Sequence, residues 1–124
     1  MADILLIDDM SGVRRAVTSM LKSTGHTVTT AENGAEGIGL LKQRRFDLVI
    51  TDMLMPMIDG TEVLIHLRSI PGRPPVIAIS GGGAGISADT ALRAARATAD
   101  AYLEKPFERS DLVAAVDRLL AKTA

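Results

Sequence analysis

Asp47-Leu48-Val49-Ile50-Thr51-Asp52 and Ile4-Leu5-Leu6-Ile7-Asp8-Asp9 are the stretches that decide the fold. Each is a short run of β-favouring apolar residues that ends abruptly in acid. Unbroken apolar runs, without apolar–polar alternation, suit strands covered on both faces, as in a parallel sheet. If the two strands are parallel neighbours, their carboxyl ends lie together. Asp8, Asp9 and Asp52 then meet at one edge of the sheet. Three acids gathered there do not all stay ionised at low cost without a cation.

Val76–Ser80 repeats the apolar pattern, and Ala101–Leu103 is a shorter strand candidate. Thr27–Thr30 is more polar and reads as an edge strand. Between the runs lie helical segments. Val13, Ala16, Val17, Met20 and Leu21 recur at helical spacing, with Arg14, Arg15, Thr18 and Lys22 outside the stripe and Gly25 as a C-cap. A second helix spans about Ala35 to Lys42 and carries Gly37 and Gly39, each costing ~1 kcal/mol against Ala. Val63, Leu64 and Leu67 mark a third helix. Ser87 to Ala99, Ala-rich with Leu92 its one large apolar residue, is a lightly anchored fourth. Leu112, Val116, Leu119 and Leu120 mark the last, capped by Ser110 or Asp111. Five β–α repeats predict an α/β fold with a parallel sheet and helices on both faces, without a linker or internal repeat.

The chain has 124 residues, enough for one domain with a real core. A net charge of −1 offers no basic footprint for nucleic acid. Phe46, Tyr102 and Phe107 are the only aromatics, too few for a base-stacking platform. The absence of cysteine excludes disulfides and thiolate chemistry and fits a reducing, cytoplasmic setting. The first apolar run is too short for a signal peptide or membrane span. Met1, directly before the first strand, reads as a natural start.

In open α/β sheets the site lies beyond the carboxyl ends of the strands, where strand order reverses. For the order 2-1-3-4-5 that point falls between strands 1 and 3, the strands that end in Asp8-Asp9 and Asp52. Strand 4 ends in the hydroxyl of Ser80, and strand 5 leads to the ammonium of Lys105. Carboxylates with water suit a hard cation such as Mg²⁺, which also takes phosphate oxygens. An aspartate can accept a phosphoryl group, and that transfer needs mainly positioning and charge neutralisation.

In order along the chain stand Asp8-Asp9, Asp52 followed by Met55-Pro56 and Asp59-Gly60, then Ser80, then Tyr102-Leu103-Glu104-Lys105-Pro106-Phe107. This set resembles the receiver domain of two-component response regulators, across essentially the whole chain. The resemblance implies a stand-alone, flavodoxin-like receiver domain over residues 1–124. It implies Asp52 as phosphoacceptor, and Mg²⁺ held by Asp8, Asp9, Asp52 and the backbone carbonyl of Leu54. Ser80 and Lys105 would contact the phosphoryl group and Tyr102 would be a rotameric switch. The phosphoryl donor would be a histidine kinase or histidine phosphotransfer protein. A conformational change would be relayed through helix 4, strand 5 and helix 5. Self-catalysed phosphorylation and dephosphorylation would be its only enzymatic acts. The Lys105-Pro106 peptide is typically cis in this family. The chain departs from the pattern in the loop Gly81-Gly82-Gly83-Ala84-Gly85 and at Thr98, where glycine is frequent. Ser80, where Thr is also common, keeps the hydroxyl.

Blander readings stand beside these. Each acid taken singly could be a helix cap, Ser80 a turn residue and Lys105 a solvated lysine. Tyr102 could be a half-buried strand residue, and His26 and His66 surface residues without a ligand role. The methionines read mainly as core filler. Gly83-Ala84-Gly85-Ile86-Ser87-Ala88 formally matches a dinucleotide loop but follows the wrong strand. A haloacid dehalogenase-type phosphatase would place its nucleophile after the first strand, with an acid two residues on. Here Asp52 follows the third, and Leu54 stands two residues on. A receiver-like module that signals without phosphorylation is the remaining alternative, which the intact acid set opposes.

Overall fold

A computed structural model describes residues 2–53, 60–80 and 99–123. Five parallel strands form one sheet in the order β2-β1-β3-β4-β5. They are β1 (Asp3–Ile7), β2 (Thr27–Ala31), β3 (Leu48–Asp52), β4 (Val76–Ser80) and β5 (Ala101–Glu104). Helices α1 (Ser11–Lys22), α2 (Gly34–Gln43) and α3 (Gly60–Arg68) follow β1, β2 and β3, and a C-terminal helix (Arg109–Thr123) follows β5. The expected strand order is therefore present, with β2 at one edge. The expected helix over Ser87 to Ala99 lies outside the described residues. So do the loop Gly81–Gly85, Leu54 and Thr98.

Strand alternation sorts the core into two layers. Ile4 and Leu6 of β1, Leu48 and Ile50 of β3, and Ile77 and Ile79 of β4 face α1 and the C-terminal helix, meeting Val17, Leu21, Leu112, Val116 and Leu119. Leu5 and Ile7, Val49, and Val76 and Ala78 face the other way, onto Val63, Leu64 and Leu67 of α3. The predicted stripes of α3 and of the C-terminal helix are thus the buried ones. In α1 the stripe is narrower than its spacing suggests: Val17 and Leu21 are buried, whereas Ala16 is exposed.

Local signals explain several boundaries. α1 closes in a Schellman motif: Gly25, at φ 91°, donates its N–H to Lys22 O (3.0 Å), and His26 N–H goes to Leu21 O (3.2 Å). Asn33 caps α2 by accepting the Glu36 N–H at 2.8 Å. The C-terminal helix is capped differently from the sequence expectation. It starts at Arg109, and Asp111 sits inside the first turn, where its carboxylate accepts the Glu108 N–H at 3.1 Å. That is the returning half of a capping box. His26 is half-buried, and its Nδ1 accepts the Ala2 N–H at 3.1 Å, which ties the start of β1 to the start of β2.

Gly37 is where a poor helix former is required. It is buried against β1, and a Cβ there would sit 2.8 Å from Ile7 Cγ1 and closer still to Ile7 Cδ1. At Gly39 no described residue lies within 4 Å of where a Cβ would stand. Only the first of the two helix-weakening glycines has a packing reason.

Candidate functional site

Register assembles the site. Ile7 pairs with Thr51, so the next residues, Asp8 and Asp52, leave adjacent strand ends side by side. Asp52 pairs with Ile79, and Ile79 with Leu103. Asp8 shares the parity of Ile4 and Leu6, Asp52 that of Leu48 and Ile50, and Lys105 that of Ala101 and Leu103. The lysine therefore leaves β5 on the side of the sheet where the two acids stand. Its Nζ lies 3.3 Å from Asp8 Oδ2 and 3.3 Å from Asp52 Oδ2.

Burial gives this pairing weight. The Asp8 and Asp52 side chains are 0% and 4% exposed, and that of Lys105 is 19% exposed. Buried carboxylates are costly unless paired and hydrogen-bonded. Asp9, by contrast, is exposed. Carboxylate oxygens of Asp8, Asp9 and Asp52 lie within 4.8 Å of one another. Mg²⁺ holds its oxygens at about 2.0–2.1 Å, so opposed ligands stand about 4 Å apart. The cluster is of that scale and all oxygen, a donor set that fits a hard divalent cation. Lys105 supplies one positive charge to two of the three acids.

Main-chain bonds hold the strand ends at this level. Asp8 N–H reaches Ala31 O (3.1 Å), Met53 N–H reaches Ile79 O (2.9 Å) and Lys105 N–H reaches Ser80 O (2.8 Å). The Lys105-Pro106 peptide is cis. Asp8 Oδ1 accepts the Met10 N–H at 2.9 Å. That bond closes an Asx-type turn ahead of α1, whose N-cap, Met10, has no side-chain cap, so Asp8 does not cap the helix; its other oxygen faces Lys105. Thr51, buried before Asp52, donates its hydroxyl to the Asp52 carbonyl at 3.0 Å. Met53 is fully buried among the α3 residues, in keeping with methionine as core filler.

Ser80 is buried at the end of β4, one residue beyond Ile79, the partner of Asp52. Tyr102 is half-buried, pairs with Ala78, and packs on the α3 side of the sheet. By parity it shares a face with Ser80, two residues beyond its partner. So the structure brings together Asp8, Asp9, Asp52 and Lys105 directly. It sets Ser80 on the same edge and Tyr102 one step back, and Leu54 lies outside the described residues.

Arg14, outside the apolar stripe of α1, also reaches the site. Its Nη1 donates to the Asp8 carbonyl at 2.8 Å, and its Nη2 stands 3.7 Å from Glu32 Oε1. No side-chain pattern announces a bond to a main-chain oxygen. Asn33 did carry a signal, a capping residue three positions before Glu36.

Comparison with known proteins agrees with this geometry. The family model described as response regulator receiver domain matches residues 4–117. Transcriptional regulatory protein GlrR of Escherichia coli is 33% identical over 123 residues, 99% of this chain and 27% of that protein. Response regulator MprA of a Mycobacterium species is 35% identical over 121 residues, 98% of this chain and 51% of that protein. The chain therefore spans between about a quarter and a half of these curated relatives. A response regulator receiver domain protein of solved structure, from Clostridium thermocellum, matches with a TM-score of 0.87 at 32% identity, covering 99% of this chain and 97% of that one. Receiver domains work in two-component, phosphorylation-dependent signalling, generally take phosphate from histidine kinases, and typically bind Mg²⁺ through acidic residues. With its strand order, its acid cluster and its sequence all in agreement, the chain belongs to the response regulator receiver domain family.

Proposed function

We propose that Asp52 is the phosphoacceptor of this receiver domain, with Asp8, Asp9, Asp52 and the Leu54 carbonyl holding Mg²⁺. The observation that carries the reading is the convergence of three carboxylates and the Lys105 ammonium on one sheet edge. An Asp52 carboxylate oxygen attacks the phosphorus of a phosphohistidine on a histidine kinase or histidine phosphotransfer protein. The new O–P bond forms as the N–P bond breaks. The imidazole nitrogen leaves with the electron pair and takes up a proton from solvent. Bound Mg²⁺ would supply positive charge to the phosphoryl oxygens. Lys105, already between Asp8 and Asp52, moves its charge onto the transferred group, and Ser80 donates its hydroxyl to a phosphoryl oxygen.

The transferred group adds charge at a buried edge and so shifts a pre-existing equilibrium. Tyr102 and the loop after β4 repack, and the surface of residues 87–99, β5 and the C-terminal helix carries the state to a protein target. Self-catalysed phosphorylation and dephosphorylation complete the cycle, in the cytoplasm. Among the described residues no helix is long and apolar enough to cross a membrane.

Incubation with Mg²⁺ and acetyl phosphate, followed by intact mass, tests the assignment. One phosphoryl group is expected on the wild-type chain and none on Asp52→Ala. An adduct that survives Asp52→Ala overturns it. Steady turnover of phosphate esters without a donor kinase would favour a phosphatase instead.

A further inference from the structure

We infer that Arg14 is a positioning residue for the cation site, clamping the turn between β1 and α1 that carries Asp8 and Asp9. The inference rests on reading the acid cluster as a Mg²⁺ site. β1 ends at Ile7, so the Asp8 carbonyl has passed beyond the strand ladder. An exposed or buried carbonyl at such a point needs another donor. The guanidinium of Arg14 supplies it at 2.8 Å, from a side chain only 17% exposed.

The consequence falls on Asp9. The Asp8 carbonyl and the Asp9 N–H belong to one rigid peptide plane. Holding that oxygen therefore fixes the direction in which Asp9 leaves the strand end. Among the described residues no hydrogen bond holds the Asp9 carboxylate itself. Its aim depends on the backbone, and the backbone is held from both sides. Asp8 Oδ1 takes the Met10 N–H, the Arg14 N–H reaches Met10 O at 3.0 Å, and the Arg14 side chain closes the loop onto Asp8 O. Arg14 thus ties the first turn of α1 to the peptide just beyond β1, with the exposed Glu32 carboxylate 3.7 Å from its second nitrogen. The planar guanidinium presents its donors in a fixed fork, whereas a lysine ammonium on its flexible stem would hold the carbonyl less firmly.

The test is the affinity for Mn²⁺ alone, without phosphodonor, measured by electron paramagnetic resonance of the free ion. Circular dichroism and thermal unfolding of the metal-free variants monitor the fold. Arg14→Ala is expected to weaken Mn²⁺ binding roughly tenfold, the usual scale for groups that orient metal ligands, while keeping the wild-type spectrum. Binding that is unchanged or tighter in folded Arg14→Ala overturns the inference. If Arg14→Ala does not fold, Arg14→Lys decides by the same criterion, weaker binding supporting and equal or tighter binding overturning. Asp9→Asn separates the inference from the reading beneath it. Wild-type Mn²⁺ affinity in Asp9→Asn would sink the cation site itself. Lost binding in Asp9→Asn with retained binding in Arg14→Ala sinks only the clamp.

Discussion

Lys105 is the residue on which the resting site turns. It places one ammonium 3.3 Å from each of two buried carboxylates. Replacing it leaves charges that burial penalises. Lys105→Met is predicted to lose roughly 1–3 kcal/mol of stability at neutral pH in the absence of Mg²⁺. Urea unfolding with and without Mg²⁺ checks this. The loss should shrink when the cation is present, because positive charge returns to the same acids. An equal loss in both conditions would mean that the lysine acts through packing alone.

At the scale of elements, α2 holds a matched pair of experiments. Gly37 touches Ile7 of β1, and Gly39 faces no described residue. Gly39→Ala is predicted to stabilise by up to about 1 kcal/mol through helix propensity. Gly37→Ala gains the same propensity but must displace a stiff, fully buried isoleucine, and overpacking costs about 1–3 kcal/mol. Its net effect is a loss on the order of 1 kcal/mol. Thermal midpoints should move in opposite directions, by roughly 3–5 °C each.

The start of β4 carries a pH signature. The Asp100 carboxylate accepts from Arg73 Nη1 (2.8 Å) and from the Val76 N–H (2.8 Å). Partial burial alone would raise its pKa. The Arg73 hydrogen bond, the Val76 N–H and the Arg73 charge outweigh that and hold it below its ordinary 3.8. A carboxyl depressed in the folded state contributes stability above its unfolded value, and that contribution is lost as pH falls through the folded one. Asp100→Asn should therefore flatten the stability curve on the acid side of about pH 4 and leave its shape near neutrality unchanged. Chemical unfolding across that range reads the difference.

For the whole molecule, a cation that binds only the folded state must stabilise it by mass action. At a hundredfold excess over its dissociation constant the gain is about 2.7 kcal/mol, roughly 10 °C for a domain of this size. Mg²⁺ should raise the thermal midpoint saturably, EDTA should reverse the rise, and Asp9→Asn should abolish it. A rise that persists in Asp9→Asn would locate the effect elsewhere. The reason is topological: the three acids come from two strands whose carboxyl ends meet only in the folded sheet.

Much of this was legible in the residues. Apolar runs ending in acid announced parallel strands, and their order along the chain announced the edge where Asp8, Asp9, Asp52, Ser80 and Lys105 gather. An unbroken apolar run carries that information because it is local, and strand termini place whatever residues follow them. The tertiary structure decided what depends on neighbours distant in sequence. Register brought Lys105 onto both Asp8 and Asp52, because parity on three strands had to agree. Ile7 decided that Gly37 has no room for a side chain, and the Ala2 amide decided that His26 is an acceptor and not a surface ornament. Arg14 belongs to the same class. A bond to a main-chain carbonyl depends on where the backbone runs, and side-chain spacing along the chain does not encode it.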